Sequence, residues 1–542
     1  MRYGRAQFRS GRALLAIAVL LPFIAVGPRD AAAQDEQSVS ARIRSLLEGR
    51  ADDTQTFYQA RGFRPAWLEP DRRRAAGLIR VLRAADAEAL PPARYDVERI
   101  AALAHAGAGT DNVARLDVLL TDAFLRYARD VSFGRLDPRA VHSGWKRAPR
   151  TLDPAAFLER VLAADDFTRA MSTLAPADPA YVRMRAALAE YRAVAANGGW
   201  PRVPGVRLEQ GDTADAVSAL RRRLAAEDRG TTVGSPLFDA DLTARVIVFQ
   251  KRHGLEPDGI VGRRTHAELA VSAAQRVHQI ALNMERLRWA APTTDSLRIE
   301  VSIPEFELRA LRGADIVMQM RVIGGLRSWP TPIFDATVEA LTINPPWNVP
   351  RRIATLEILP AIKRNPLYLA AHEMQVLASN GSIVDPASID WKNVTARTFD
   401  YRFRQVPGPA NPLGVVKFVL PNPYDVYLHD TPSKSLFARA DRSSSHGCVR
   451  LENALDLAIL VLDGSGWTPE SLLDAVAQRT ERQVGLARRV PVSIRYVTAW
   501  VEESGEVHFR EDVYGHDAAL DRLLGDSAAA ERPVESASAC GG

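Results

Sequence analysis

The sequence of 542 residues predicts a multidomain α+β protein with a helical scaffold domain, a three-helix module and a β-rich domain that carries an insertion. Apolar residues recur at three- and four-residue spacing up to about residue 200, which predicts helices. Segments rich in glycine and proline separate the regions, and period-two alternation begins near residue 297. The length suits about three domains on a prior of ~150 residues each.

Residues 1–33 have the order of a secretory signal peptide. Four arginines precede an apolar run at 13–26, and three alanines at 31–33 form an A-x-A site. The run is short for a membrane span, so we expect an exported chain, with a retained N-terminal anchor as the alternative. Removing this segment lowers the formal charge from +5 to +1, because it holds five arginines and one aspartate. No basic patch for nucleic acid is then left.

Residues 34–200 are predicted to form the helical scaffold domain. Its helices have apolar positions such as Leu116, Leu119, Leu120 and Phe124. Few polar candidates for chemistry occur there, so we expect a structural role.

A Gly/Pro-rich loop at 197–205 marks the start of the module, residues 201–272. Three helical segments surround an F-Q-x-x-x-G-L run and a D-G-x-x-G turn, matched at Phe249, Gln250, Gly254, Leu255, Asp258, Gly259 and Gly262. The segment resembles the peptidoglycan-binding module of cell-wall enzymes. A helical spacer without a ligand is the alternative.

A linking helix is predicted at 273–295 and a β-rich domain at 296–485. Residues 297–303, 415–420 and 424–428 alternate as strands. The stretch 348–408 lacks such alternation, so we interpret it as an inserted lid. A β-hairpin segment at 486–520 and a disordered tail at 521–542 are expected to complete the chain.

Cys448 is the strongest candidate for chemistry. It lies in the run Ser445-His446-Gly447-Cys448-Val449-Arg450, whereas the second cysteine, Cys540, lies in the small-residue tail. A lone cysteine is often a small buried hydrophobe, but this run would make a poor core segment. Gly447 lets backbone N–H groups approach an oxyanion, and Arg450 supplies a positive charge that favours a thiolate. The pattern therefore indicates a nucleophile.

A partner base is available in His429, nineteen residues upstream in Tyr427-Leu428-His429-Asp430-Thr431-Pro432. An imidazole raises the thiolate fraction of a thiol whose ordinary pKa is ~8.5. His446 is only two residues from Cys448 and is expected to brace the turn, so His429 is the predicted base. A zinc site of these residues with Asp430 lacks C-x-x-C or H-x-x-x-H spacing. No metal or other cofactor is expected.

The β-rich region resembles the L,D-transpeptidases of bacterial cell walls, in particular the large exported Gram-negative type with an inserted lid. The motifs that carry the resemblance follow the family order over residues 302–451. They are Ser302-Ile-Pro-Glu-Phe306, Thr331-Pro332, Asn344-Pro-Pro-Trp347, Asn411-Pro-Leu413-Gly414-x-Val-Lys417-Phe418 and the H-x(15)-S-H-G-C-x-R core from His429 to Arg450. Pro346 is a departure, since an aromatic residue is usual there.

The resemblance implies a periplasmic enzyme that acts on peptidoglycan tetrapeptide stems as donor and acceptor. Cys448 would form a thioester with the stem, and His429 would act as the base. Ser445, His446 and Gly447 would support the oxyanion hole, and Arg450, Tyr427 and Trp347 would orient the substrate. For Arg450 a structural salt bridge is an equal alternative. Other wall-synthesis enzymes are possible partners.

Two other functions remain open on the sequence. A carboxypeptidase or amide hydrolase would use the same cysteine and pass the acyl group to water. A non-catalytic wall-binding protein would need none of the residues around Cys448.

Overall fold

A computed structural model describes residues 28–68, 72–106, 109–228, 235–290 and 297–530. The predicted signal peptide lies mostly outside these residues, and Cys540 lies outside them entirely. Helix α1 begins at Pro28, so it crosses the predicted cleavage position after residue 33. Within the described ranges, no helix is both long and apolar enough to cross a membrane.

The scaffold domain is helical, as predicted, and packs around one long central helix. Several of its helices begin at an aspartate whose carboxylate accepts a backbone N–H, as Asp52, Asp153 and Asp178 do. The helices are α1 (Pro28–Leu47), α2 (Asp53–Ala60), α3 (Arg73–Arg83), α4 (Val97–His105), α5 (Thr110–Phe133), α6 (Pro138–Val141), α7 (Pro154–Ala163), α8 (Phe167–Met171) and α9 (Pro179–Ala196). Phe124 and Leu120 of the central helix α5 are fully buried in the shared core.

The module contains the three predicted helices, α10 (Asp215–Asp228), α11 (Ala240–Arg252) and α12 (Arg263–Leu269). Gln250 ties α11 to the following turn, because its side chain donates to Asp258 Oδ1 at 2.8 Å and accepts from Gly259 N at 2.9 Å. Gly259 has a φ of 74°, which favours glycine. The linking helix is α13 (Ala273–Arg288), which begins at a capping box of Ser272 and Gln275.

The β-rich domain is built on a nine-stranded sheet in the order β11-β3-β12-β10-β9-β4-β13-β1-β2. The sheet closes on itself because β2 pairs with both β1 and β3. The strands are β1 (Arg298–Ser302), β2 (Glu307–Arg312), β3 (Asp315–Gly325), β4 (Phe334–Ile343), β9 (Val416–Val419), β10 (Leu428–His429), β11 (Ser443–Ser445), β12 (Val449–Leu451) and β13 (Arg482–Arg495). Helices α17 (Ala454–Val461) and α18 (Pro469–Ala477) cover its core.

The insertion folds around its own core and is not purely helical. It contains β5 (Trp347–Asn348), α14 (Arg351–Ile353), a π-helical turn (Ala354–Ile358), α15 (Leu359–Arg364), α16 (Tyr368–Ala371), β6 (Met374–Ala378), β7 (Ile383–Val384) and β8 (Tyr401–Gln405). The strands form a second sheet in the order β5-β8-β6-β7. The absence of period-two alternation in 348–408 therefore did not mean an absence of strands. Strands of two to five residues are too short to show a clear period-two pattern.

Three other predicted boundaries differ from the structure. Residues 424–427 form a loop and not a strand, because the Asn422 side chain bonds the backbone at Tyr424 N and Val426 O. The predicted domain end at residue 485 cuts through β13, whose pairing shifts at a bulge between Gly485 and Val490. Helix α19 (His516–Ala530) includes residues 521–530, which were predicted to be disordered.

A hairpin of β14 (Ala499–Val501) and β15 (Val507–Phe509) follows the sheet, as predicted. Its apolar side chains pack against α9 and α13 in one cluster with Tyr181 and Met184. Arg252 Nε of the module donates to Val507 O at 3.1 Å, so the hairpin joins the scaffold, the linking helix and the module.

Candidate active site

Cys448 lies at the end of a tight turn between β11 and β12. Gly447 has a φ of 107°, a conformation that favours glycine. The Ser445 hydroxyl fixes the turn, since its Oγ accepts from Gly447 N at 3.1 Å and donates to Cys448 O at 2.5 Å. We call residues 445–448 the Cys448 turn.

Thr331 anchors this turn from beneath. The Thr331 side chain is fully buried, and its Oγ1 donates to Gly447 O at 2.8 Å and accepts from Gly325 N at 2.9 Å. The Tyr514 hydroxyl, from the segment after the hairpin, donates to Gly325 O at 2.6 Å. A Cβ at position 325 would lie 2.1 Å from Trp329 O, so only glycine fits. The turn is thus held by residues from three separate parts of the chain.

The Cys448 thiol is half-buried and donates to Asp425 O at 3.8 Å. Burial raises the pKa of this thiol. The Tyr427 backbone and phenol and the charges of Lys417 and Arg450 act in the opposite direction but do not offset burial, so the pKa of Cys448 stays above its ordinary value. Burial and the neighbouring Cys448 raise the pKa of Tyr427, so its phenol stays protonated and can donate.

Two cations face the thiol. Lys417 Nζ lies 3.9 Å from the centre of the Tyr427 ring, and Arg450 Nε is buried without a hydrogen-bond partner. Burial lowers the pKa of the Lys417 ammonium and of the Arg450 guanidinium, whereas the charge of the neighbouring Cys448 raises the pKa of each. Neither cation forms an ion pair with a carboxylate in the part of the chain that the structure describes. The salt bridge considered for Arg450 is therefore not formed among these residues.

His429 lies on β10, beside Arg450 on the parallel strand β12. Its ring is 3% exposed, and Nδ1 lies 2.5 Å from Asp430 O. Because a carbonyl oxygen only accepts, Nδ1 carries the proton and Nε2 is left as an acceptor. Burial is the main cause that lowers the pKa of His429 to about 3, so the ring is neutral at neutral pH. Among the described residues, no hydrogen bond joins His429 to Cys448.

His446 points away from the thiol and toward the insertion. Its Nε2 lies 2.6 Å from Glu357 Oε1, and its ring meets the Trp329 ring edge to face at 5.0 Å. The Arg352 guanidinium lies 3.7 Å from the centre of the Trp329 ring. His446 therefore connects the Cys448 turn to the insertion. Trp347, in contrast, packs into the insertion's own core from β5.

The Cys448 backbone N–H is a free donor of the turn among the described residues. Gly447 N is already bonded to Ser445 Oγ, whereas Cys448 N has no acceptor among the described residues. An N–H of this kind, next to the attacking atom, can stabilise an oxyanion.

The loop opposite the thiol depends on Asn422. Asn422 Nδ2 donates to Leu420 O and to Val426 O, both at 2.7 Å, and this turn places Asp425 at a φ of 53°. A cleft of about 180 Å³ opens beside the loop and is lined by Lys417, Asp425 and Tyr427, among others. Asp425 of this lining accepts the hydrogen bond of the Cys448 thiol, so the cleft adjoins the site.

A candidate metal group lies far along the chain from this site. In the described ranges, one cluster has three carboxylate or imidazole side chains close enough to share a metal ion. It consists of Glu502, Glu506 and His508. The Arg252 guanidinium lies 3.4 Å from Glu506 Oε1 and already supplies a positive charge there. The hairpin cluster therefore gives no support for metal chemistry at Cys448.

Sequence reasoning missed several residues of this site. Lys417 and Thr331 stand within the quoted motifs, so the motifs offered a signal that was not used. Asp425, Glu357 and Tyr514 are brought in by the fold and have no sequence signal of their own.

Three segments of the chain match known domain families. Residues 296–476 match the L,D-transpeptidase catalytic domain, residues 213–269 a putative peptidoglycan binding domain, and residues 52–188 a scaffold domain. A putative L,D-transpeptidase of Haemophilus influenzae is 37% identical over 239 residues, which is 44% of this chain and 48% of that protein. The chain thus matches about half the length of this relative.

Solved structures with some likeness include an L,D-transpeptidase from Mycobacterium smegmatis, at 13% identity and a TM-score of 0.19, covering 37% of this chain and 58% of that one. Another is the L,D-transpeptidase, residues 123–326, from Xylanimonas cellulosilytica, at 16% identity and a TM-score of 0.18, covering 54% and 98%. Scores this low do not allow one site to be superposed on another.

Proposed function

Because this chain contains an L,D-transpeptidase catalytic domain and a peptidoglycan-binding module, we propose that it forms 3→3 cross-links between peptidoglycan tetrapeptide stems. The observation that carries the proposal is the setting of Cys448. Its thiol lies beside Lys417 and Arg450, whose charges lower the pKa of Cys448 and neither of which forms an ion pair with a carboxylate of the described chain. These two charges favour a thiolate, against the burial that raises the pKa of the thiol above its ordinary value.

The reaction begins with attack of the Cys448 thiolate on the carbonyl of stem residue 3, meso-diaminopimelate. The Cys448 backbone N–H faces the developing oxyanion, and one such donor is typically worth ~3 kcal/mol. The C–N bond to the terminal D-alanine breaks, and that residue leaves as an amine after taking up a proton. A thioester remains on Cys448. The side-chain amine of diaminopimelate in a second stem then attacks the thioester, the C–S bond breaks, and the proton lost by the amine passes through His429 to the Cys448 sulfur, which leaves the 3→3 amide and the starting thiol.

His429 is assigned the role of base. Its Nε2 is an acceptor because Nδ1 donates to Asp430 O, and its ring packs edge to face on Tyr427 at 5.6 Å. His429 would take the thiol proton and return it to the departing amine. The missing contact to Cys448 is expected to form when substrate fills the cleft, since catalytic hydrogen bonds are often long without substrate. His446 is engaged with Glu357 and is the weaker candidate.

The insertion is assigned the role of a lid. An acyl-enzyme that waits for an amine must be shielded from water, and the His446–Glu357 contact brings the insertion against the Cys448 turn. Trimming residues 348–408 is expected to raise hydrolysis relative to transfer. An unchanged product ratio would argue against the lid.

Mass spectrometry of purified disaccharide-tetrapeptide incubated with residues 34–542 tests the function. Dimers with a 3→3 linkage would support transpeptidation, tripeptides would support the hydrolase alternative, and unchanged substrate would support a binding protein. Cys448→Ala is expected to abolish both the thioester and the product. Cys540→Ser is the matched control and should leave both intact.

The site of action that fits this reaction is the periplasm. The wall-binding module and the predicted signal peptide support it. Other wall-synthesis enzymes are proposed as partners. Secretion of a signal-sequence fusion to a reporter would test export.

A further inference from the structure

A groove of about 630 Å³ separates the three-helix module from the closed sheet. The module wall is formed by residues within 251–257 and 264–271. The sheet wall is formed by residues within 304–306 and 438–442, and the floor by residues within 510–513. We call this the interdomain groove. Its lining does not include Cys448 or the loop at 422–427.

The walls of the interdomain groove are tied together. Ala440 N donates to Glu256 Oε2 at 3.2 Å, which joins the sheet wall to the module. Arg510 Nη1 donates to Arg252 O at 2.8 Å, which joins the floor to the module. A Cβ at Gly254 would lie 2.6 Å from Arg510 Cδ, so the close approach requires glycine. These contacts therefore hold the interdomain groove in a defined shape between the module and the sheet.

The groove has an excess of positive charge. Lys251 and Arg439 are exposed and form no hydrogen bond or ion pair through their side chains with any described residue. Arg442 and Arg510 donate only to backbone carbonyls in the described chain, so their charges are not neutralised by a carboxylate in contact. These four cations favour an anionic ligand.

The carboxylates of the groove are mostly occupied. Glu305 is paired with Arg309 at 2.7 Å, and Glu268 is paired with Arg276, both cations outside the lining. Glu511 lies 3.8 Å from Arg264 and also pairs with Arg327. Glu256 and Asp441 are left without a cation among the described residues, so two carboxylates without an ion pair oppose four cations without one.

The groove also lies close to the Cys448 turn along the chain. Arg442 of its wall leads directly into β11, and β11 leads into the turn. Four extended residues from Arg442 to His446 cover about 13 Å at ~3.3 Å per residue. An extended tetrapeptide stem spans a similar length, ~13 Å.

We propose that the interdomain groove binds a second peptidoglycan stem through its carboxylates while a first stem lies at Cys448. The inference rests on the proposed function. Each stem carries several carboxylates, which match the free cations, and apolar groups that can pack on Leu255, Pro257 and Phe306 of the lining. The module then contributes to this site through Lys251 and Leu255, beside the sheet.

Binding of disaccharide-tetrapeptide to the full chain carrying Cys448→Ala tests the groove without turnover. Calorimetry should find two stems per chain. Adding Lys251→Glu and Arg439→Glu should weaken one of the two sites about tenfold, a size expected for reversal of two exposed charges, and should leave the other unchanged. Raising the ionic strength should weaken the same site.

Arg488→Glu is the matched control, because Arg488 is exposed on β13, outside the groove, and has no partner among the described residues. The proposal is overturned if the double reversal behaves like this control, or if one stem binds per chain. Equal binding of an oligoglutamate would overturn the assignment to a stem. Failure of the proposed function is seen separately, as absence of D-alanine release by the chain with Cys448 intact.

Discussion

Thr331 holds the Cys448 turn in place, so Thr331→Val should slow acylation while the chain still folds. Valine keeps the shape of threonine but removes the hydroxyl that bonds Gly447 O at 2.8 Å and Gly325 N at 2.9 Å. Thr331 is fully buried, so both backbone groups would be left unpaired. An unpaired buried group costs about 1–3 kcal/mol, which gives about 2–6 kcal/mol for the pair.

The Gly447 carbonyl and the Gly325 N–H can form hydrogen bonds with water only if the backbone moves. Most of this free-energy cost should therefore appear as a displacement of the Cys448 turn. A displaced nucleophile loses rate steeply, and each ~1.4 kcal/mol of lost alignment is tenfold in rate. We therefore expect acylation of Cys448 to fall about 10- to 100-fold. Intact-protein mass spectrometry against time gives the rate, and hydrogen exchange of the Gly325 amide reports the lost bond.

Thr331→Ser is the matched control, since serine keeps the hydroxyl and loses only a methyl group. It should restore protection of the Gly325 amide and most of the rate. A Thr331→Val chain that acylates at the normal rate with an unchanged Gly325 amide would refute the anchoring role. Slow acylation in both variants would mean that methyl packing, and not the hydrogen bonds, holds the turn.

Three further predictions concern the thiol. Lys417→Met removes a charge that lowers the pKa of Cys448, so that pKa should rise and the pH profile of alkylation by iodoacetamide should move to higher pH; a profile that does not move would remove Lys417 from the site. His429→Ala should lose cross-linking more severely than His446→Ala, measured as 3→3 dimer, and the reverse order would exchange their roles. A carbapenem should add once to the mature chain, on the peptide that contains Cys448, because its ring-opened product stays tethered; an adduct on Cys540 only would contradict the site.

The sequence signal for the predicted nucleophile, Cys448, is local. The Ser445–Arg450 run and His429 are each readable within a few residues, and the structure places them on neighbouring strands. Residues that act across the fold were not predictable in this way. Glu357 reaches His446 from 89 residues away, and Tyr514 reaches Gly325 from 189 residues away. Such contacts depend on tertiary packing, which periodicity does not encode.

The errors in the predicted strands arise from local contacts and from short segments that the sequence pattern does not show. The alternation at 424–428 predicted a strand, but Asn422 offers the backbone a competing set of side-chain hydrogen bonds. In the insertion, β6 and β8 are five residues each, which is close to the shortest pattern that can be recognised. The helical domains were easier to predict because their periodic segments are long. Helix α5, for example, has 24 residues.

The position of strand β13 determines when the sheet of the β-rich domain can close during folding. It lies between β4 and β1, and Ile299 of β1 pairs with Val492, 193 residues later. The sheet therefore cannot close until the chain has been made past residue 495, and Tyr514 adds the last support of the Cys448 turn only after that. Contacts this distant in sequence form late in folding. A nascent or truncated chain that ends at residue 476 thus contains Cys448 but lacks both the closed sheet and the Tyr514 contact that support its turn.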